Sequence, residues 1–235
     1  MAGCLLKMIS ILIPCFNSQT HLKQCIESAL IQNVEKEIIL LDDGSTDNTL
    51  SIAKEYPIKI HRRKHKGFTE TYNELFNLAK GDWIQYLDSD DYLAMDKLEK
   101  QRPYLSTSDV LIGTTYVLES HEIFKKIPNN NLLAELKVGI KYQTNCFLFS
   151  KQILNKLIER NKILWKDILI NHDTNLILDL IEINSLFVLT PESIAYYRYN
   201  WSDKQLTNIY KDHDINTKER ITHISDNFNF HSTGA

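Results

Sequence analysis

Residues 83–91 read Trp-Ile-Gln-Tyr-Leu-Asp-Ser-Asp-Asp (WIQYLDSDD), an apolar run that ends in the carboxylates of Asp88, Asp90 and Asp91. The first five residues have the character of a strand buried on both faces. The acidic end is costly unless a cation neutralises it. Oxygen-rich clusters of this kind suit Mg2+ or Mn2+, which take a few protein carboxylates and fill their shell with phosphate oxygens and water. The alternative is a solvated acidic turn that caps the next helix, and Asp91 fits that role as well.

The same pattern recurs upstream. Glu37–Leu41 (EIILL) is a second continuous apolar strand running into Asp42-Asp43-Gly44-Ser45, read either as a nucleoside-binding carboxylate or as an Asp-Gly turn. Met8–Ile13 is a strand closed by Pro14, and Ile58–His61 is a short one. Between the strands lie helical patterns at His21–Gln32, Thr46–Glu55 (Thr46 or Asp47 as N-cap) and Phe68–Ala79, the last followed by Gly81. Strand–helix alternation with continuous apolar strands predicts a mostly parallel α/β sheet covered on both faces. Ligands collect at the carboxyl ends of such strands, where both acidic clusters fall.

The second half is less regular. Strands are expected at Ser108–Leu118 and His121–Lys126 as an antiparallel pair, and at Cys146–Phe149, Leu186–Leu189 and Ser193–Arg198. Helices are expected at Asn131–Val138, Lys151–Arg160 and Asp173–Ile183. From about Lys211 the chain turns polar and aperiodic, and its end (NFNFHSTGA) is expected to fray.

Composition removes several classes. The 235 residues carry 27 Lys+Arg against 30 Asp+Glu, a net charge of −3, and 43% hydrophobic residues. That is ordinary globular composition without a nucleic-acid footprint. Seven Gly and five Pro exclude a collagen-like or low-complexity chain. No apolar stretch approaches the roughly 20 residues that span a bilayer. The opening MAGCLLKM is too short and weakly charged for a secretory signal. Cys4, Cys15, Cys25 and Cys146 form no C-x-x-C pair, which argues against a disulfide or zinc framework and for a reducing, cytoplasmic compartment.

Other features have two readings each. Asn17 can cap the following helix, and Pro14 and Phe16 can line a pocket or only pack. The run His61–Lys66 (HRRKHK) is a solvated face, a source of Arg63 or Lys66 for a diphosphate, or a contact with an anionic membrane surface. Tyr196, Tyr197, Tyr199 and Trp201 form an aromatic shelf for a sugar ring or ordinary strand packing. Asp173 is the N-cap of its helix, a proton acceptor, or both.

Taken in order, Ile9–Asn17 (ISILIPCFN), Ile38–Ser45 (IILLDDGS) with Thr46–Thr49, Lys80–Ile84 and Leu87–Asp91 resemble the nucleotide-binding half of family 2 glycosyltransferases, which have the GT-A fold. The match covers roughly residues 8–100 and extends more weakly through Asn145–Leu157, His172-Asp173 and Tyr196–Thr207. The resemblance implies one GT-A domain over residues 1–212, Rossmann-like with a small antiparallel acceptor-side part, followed by a polar tail at 213–235. Residues 8–100 would be the nucleotide-sugar half and 101–212 the acceptor half.

It also implies roles. Asp88-Ser89-Asp90 matches the DXD motif, with Asp90 the direct metal ligand and Asp88 nearer the ribose or sugar. Asp43 would hold the uracil or other base, with Pro14 and Phe16 lining that pocket. Lys66 and Arg198 would meet the nucleotide, Arg198 and the Ser202 region closing over the diphosphate. Asp173 matches the carboxylate of the family's E-D motif, the general base. Two positions depart from the pattern: His172 stands where the Glu is usual, and Tyr72 precedes the retained Asn73 where an Arg-Asn pair is usual.

The activity so implied is inverting, Mn2+- or Mg2+-dependent transfer of a hexosyl-type group from a nucleotide-diphosphate sugar, UDP-linked, to a saccharide or lipid-linked acceptor in surface polysaccharide or glycan synthesis. One base and one metal serve a single displacement, whereas glycosidases need two flanking carboxylates. The implied location is cytoplasmic, in contact with the inner face of the cell membrane. The alternative is a catalytically degenerate sugar-nucleotide binder. A dinucleotide oxidoreductase needs a G-x-G-x-x-G turn after the first strand, where this chain has Pro14–Ser18. A nucleotidyltransferase would want a Gly-rich basic loop there.

Overall fold

The computed structural model describes residues 7–119, 122–128, 132–137, 142–166, 172–199, 219–224 and 233–234. Its first part alternates β1 (Ile9–Cys15), α1 (Leu22–Leu30), β2 (Lys36–Asp42), α2 (Thr49–Ala53), β3 (Lys59–Arg62), α3 (Phe68–Leu78) and β4 (Trp83–Tyr86). These strands are parallel in the order β3-β2-β1-β4. Cys15 pairs with Asp42 and Asp42 with Arg62, and the Leu87 amide bonds the Leu12 carbonyl, so all four strands end at one edge.

Beyond β4 come β5 (Tyr92–Leu93), α4 (Lys97–Gln101), β6 (Val110–Glu119), β7 (Glu122–Lys126), α5 (Leu132–Lys137), β8 (Phe147–Ser150), α6 (Lys151–Asn161), α7 (His172–Glu182), β9 (Phe187–Arg198) and β10 (Thr233–Gly234). Strand β8 runs antiparallel to both β4 and β6, and β9 lies parallel to β6. The predicted hairpin is the antiparallel pair β6–β7. The result is a mixed α/β sheet in the order β10-β9-β6-β8-β4-β1-β2-β3, with β5 on β9 and β7 on β6.

The continuous apolar strands follow from two cores. Ile9, Ile11, Ile13, Ile38 and Leu40 pack with Leu22, Cys25, Ile26 and Ala29 of α1 on one face. Leu12, Ile39, Leu41, Ile84 and Tyr86 pack on the other with Tyr72, Leu75 and Phe76 of α3, Leu154 of α6 and Ile177 of α7. Successive residues point to opposite faces, so burial on both leaves no polar alternation to read. Cys15, Cys25 and Cys146 are free, buried thiols.

Several expectations shift. The helix predicted over Thr46–Glu55 is confined to Thr49–Ala53. The turn before it has other partners: the Thr46 amide bonds Asn17 Oδ1 (2.9 Å), and Asp47 accepts the amides of Thr49 (2.9 Å) and Gln19 (3.2 Å). Asn17 therefore links two strand tips; the residue preceding α1 is His21. The two strands expected at Leu186–Leu189 and Ser193–Arg198 are one strand, with Pro191–Ser193 bulged opposite the Gly113/Thr114 step. Ser193 fills the space a side chain at Gly113 would need, its Oγ and carbonyl oxygen lying against that Cβ position.

Part of the expected tail is ordered. Residues 219–224 are helical with Ile221 and Ile224 buried, and Thr233–Gly234 pair with Val188–Leu189 rather than fraying. Among the described residues no helix is long and apolar enough to cross a membrane.

Candidate active site

The carboxyl edge of β1–β4 assembles three walls. The first surrounds Asp43, whose amide bonds the Cys15 carbonyl at 2.8 Å. Its buried carboxylate accepts Arg63 Nε (2.7 Å) and the amides of Gly67 (2.8 Å) and Lys66 (3.1 Å), with His65 Nδ1 at 2.9 Å. Burial alone would raise its pKa, but the Arg63 guanidinium and the two amides hold the carboxyl below its ordinary value. Asp43 thus folds the 63–67 loop onto the tip of β2. Gly44 permits the turn, with φ +86° and a would-be Cβ 2.9 Å from the His65 amide.

The basic run is divided by this arrangement. Arg63 is turned inward to Asp43, Glu74 and Thr71, so it is not part of a solvated face. Lys66 gives its amide to Asp43 while its side chain is exposed. Phe16, 47% exposed, stacks on His65 with ring centroids 4.1 Å apart. Pro14 lies at the pairing position opposite Leu41. An open cavity of about 500 Å³ adjoins this stack, lined by Gly44 and residues 62–65.

The second wall is the Asp88–Asp91 loop. Ser89 Oγ meets Ser18 Oγ at 2.7 Å, and the Cys25 thiol donates to the Asp88 carbonyl at 3.4 Å. Asp91 is wholly buried; its carboxylate accepts Asn145 Nδ2 (2.8 Å) and the Arg198 amide (2.9 Å). It therefore anchors β9 to the loop and caps no helix, since Asp96 precedes α4. Arg198 reaches the Asp90 carbonyl and Gln24 Oε1, with its guanidinium carbon 5.0 Å from the Tyr92 ring centroid.

Asp88 accepts a hydrogen bond from the Tyr72 hydroxyl. Burial, then the charge of Asp90, pushes its carboxyl up to about 7 against that bond. Asp90 is raised by burial, with its own backbone amide, His21 and Arg198 pulling the other way.

The third wall is the first turn of α7. Asp173 accepts the Thr144 hydroxyl at 2.6 Å, and burial pushes its carboxyl up to about 6 against that bond. Its charge is felt at both Asp88 and Tyr72. The predicted residues Asp88, Asp90, Asp173 and Arg198 are thereby brought together, while Pro14, Phe16, Asp43 and Lys66 form the neighbouring wall. Tyr196 stacks on Tyr92 (4.4 Å) and Tyr116 (5.6 Å), which is the packing reading for that residue. Trp201, Ser202 and Thr207 lie outside the described residues.

Sequence reasoning did not single out Tyr72 as a partner of Asp88, Thr144 as a partner of Asp173, or Asn145 as a partner of Asp91. The departure at Tyr72 was the only local signal among them. A divalent cation fits the donor set modestly. Among the described residues no three His, Cys, Asp or Glu side chains gather as a metal site. Asp88 and Asp90 offer two carboxylates, which suits Mg2+ or Mn2+ when substrate phosphates complete the shell.

Comparison with known proteins agrees with this architecture. The model of Glycosyl transferase family 2 matches residues 10–173. An uncharacterised glycosyltransferase of Haemophilus influenzae is 40% identical over 105 residues, 42% of each chain. A chondroitin synthase of Escherichia coli is 38% identical over 98 residues, covering 39% of this chain and 14% of that protein. The chain thus spans less than half the length of these curated relatives. Among solved structures, S. aureus TarS 1–349 in complex with UDP-GlcNAc superposes with a TM-score of 0.69 at 17% identity, over 86% of this chain and 61% of that one. A mannosyltransferase of Pyrobaculum calidifontis in complex with GDP-Man and Mn2+ gives 0.60 at 13% identity, over 82% and 57%. The family model takes in both acidic strand tips and ends on Asp173, and the fold around them is the one those structures share: this chain belongs to glycosyl transferase family 2.

Proposed function

We propose that the chain transfers a sugar, with inversion, from a UDP-linked donor to a saccharide or lipid-linked acceptor in surface polysaccharide or glycan synthesis. The observation that carries this reading is the approach of the Asp88–Asp90 loop and Asp173 at the carboxyl edge of the sheet, within one another's electrostatic reach. Relatives named for chondroitin synthesis and for β-glucosyl transfer to poly(ribitol-phosphate), and neighbours that hold UDP-GlcNAc or GDP-Man with Mn2+, support it.

In this reading residues 8–100 take the donor and residues 101–212 the acceptor. The base stacks against Phe16 beside Pro14, over the loop that Asp43 shapes. Asp90 would hold the divalent cation with Asp88, which would also meet the ribose or sugar. When bound, that cation offsets the charge gathering on the departing diphosphate. The exposed Lys66 side chain and Arg198 flank the same phosphates. Asp173 takes the proton of the acceptor hydroxyl as its oxygen attacks the anomeric carbon from the face opposite the leaving group. No enzyme nucleophile takes part, so the configuration inverts.

The test is a thermal melt with UDP, Mn2+ and both together, followed by product-nucleotide release across UDP-, GDP- and dTDP-sugars. UDP with Mn2+ is expected to raise the melting temperature, and Asp173→Asn to abolish transfer while keeping that rise. Absence of any rise removes the nucleotide site. Loss of both in Asp173→Asn reduces Asp173 to a structural residue.

A further inference from the structure

Tyr72 sits on the inner face of α3, 1% exposed, at the junction of the site's second and third walls. Its ring stacks on Tyr86 of β4 (centroids 5.0 Å apart), lies 4.1 Å from Phe68 and meets Trp165 edge-on at 4.7 Å. Packing on three sides leaves the phenol little freedom, and its hydroxyl donates to Asp88 Oδ1. The neighbouring Asn73 accepts the Trp165 amide at 2.9 Å and donates to the Trp165 carbonyl at 2.9 Å. One helix therefore grips both the acidic loop after β4 and the segment that leads to Asp173.

A strand-tip carboxylate can rotate about two side-chain bonds. Asp88 has the Asp90 charge beside it, which favours swinging away. A single rigid donor on one oxygen fixes that rotation and leaves the other oxygen for a ligand. Because the donor is a neutral hydroxyl, it orients Asp88 without neutralising it. A guanidinium or ammonium at this position would compete with a bound cation for the same charge.

Resting on the reading above that Asp88 faces the metal–nucleotide, we infer that Tyr72 is a positioning residue, holding Asp88 in the rotamer that engages the bound nucleotide and its cation. It touches no substrate and acts through Asp88 alone. Tyr72→Phe keeps the ring and its packing and removes only the hydroxyl.

The test is a double-mutant cycle read by calorimetric titration of UDP in the presence of Mn2+, on the full chain, with Tyr72→Phe, Asp88→Asn and the double variant. Tyr72→Phe is expected to weaken binding about tenfold, the size of one hydrogen bond to a charged group. The double variant is expected to bind no more weakly than Asp88→Asn alone, a dependence on Asp88 that a packing role would not produce. Thermal melts of the free variants check folding, and Tyr72→Phe should melt within a few degrees of the wild type. Wild-type binding with Tyr72→Phe unchanged, or additive losses in the double variant, overturns the inference and leaves the functional reading standing. A wild-type chain that takes up no UDP with Mn2+ overturns both.

Discussion

Among the described residues the side-chain donor to Asp173 is the Thr144 hydroxyl, in a setting where burial raises its carboxyl to about 6. A proton acceptor must be ionised, and a raised pKa keeps the protonated form to higher pH. Under the proposed function, kcat/KM should therefore climb as pH rises through about 6 and level above it. Thr144 favours the charged form, so Thr144→Val should move that acid limb upward by about one unit while Thr144→Ser leaves it in place. A limb that stays put in Thr144→Val would assign the titration to another group. Phe16 makes a second test at this scale. A base stacked on an exposed ring contributes about 1–3 kcal/mol by alanine substitution. Phe16→Ala should therefore weaken UDP binding roughly tenfold or more in the presence of Mn2+, and Phe16→Tyr should not.

Among the elements, α3 shows what a sequence pattern carries and what it hides. Its boundaries and apolar face are legible because Leu75 and Phe76 recur at helical spacing toward one core. What it holds is not legible, since Asn73 bonds Trp165 across 92 positions and Tyr72 bonds Asp88 across 16. Asn73→Ala removes a donor and an acceptor from the Trp165 backbone together, so it should cost about 2 kcal/mol in chemical denaturation, with Asn73→Asp costing less. Equal stability of the three proteins would mean that water replaces both bonds. The same limit explains α4 and β5, which the pattern missed. In Lys97–Gln101 the buried positions are Lys97, Leu98 and Gln101, and polar residues facing inward leave no hydrophobic period. The acidic strand tips were readable because their charge is local to the sequence. Their partners Arg63 and Asn145 arrive 20 and 54 positions away, as Thr144 lies 29 positions from Asp173, and follow only from the assembled fold.

Across the whole molecule, the parallel strands and the mixed half that extends them meet over a buried polar network centred on Lys97. The ammonium is fully buried and donates to Gln85 Oε1 of β4 (2.6 Å) and Gln101 Oε1 of α4 (3.0 Å). Gln101 in turn donates to Thr190 of β9 (3.1 Å), and Thr190 to the Ile112 carbonyl of β6 (3.1 Å). Among the described residues both hydrogen-bond partners of the ammonium are neutral amides, and burial lowers its pKa to about 7. The unfolded chain keeps that proton to about pH 10.4. Below pH 7 both states are protonated and the desolvation penalty is constant. Above pH 7 the folded chain releases a proton that the unfolded chain retains, so folding is relieved by about 1.4 kcal/mol per pH unit. Lys97→Met abolishes this linkage. Its absolute effect includes two glutamine oxygens left without a donor, but that offset does not vary with pH. The stability of Lys97→Met relative to wild type should therefore fall steadily from pH 7 to pH 9 in urea denaturation. A difference that is flat over that range would mean the ammonium stays charged inside the fold, and that the network joining the two halves of the sheet is ionic rather than neutral.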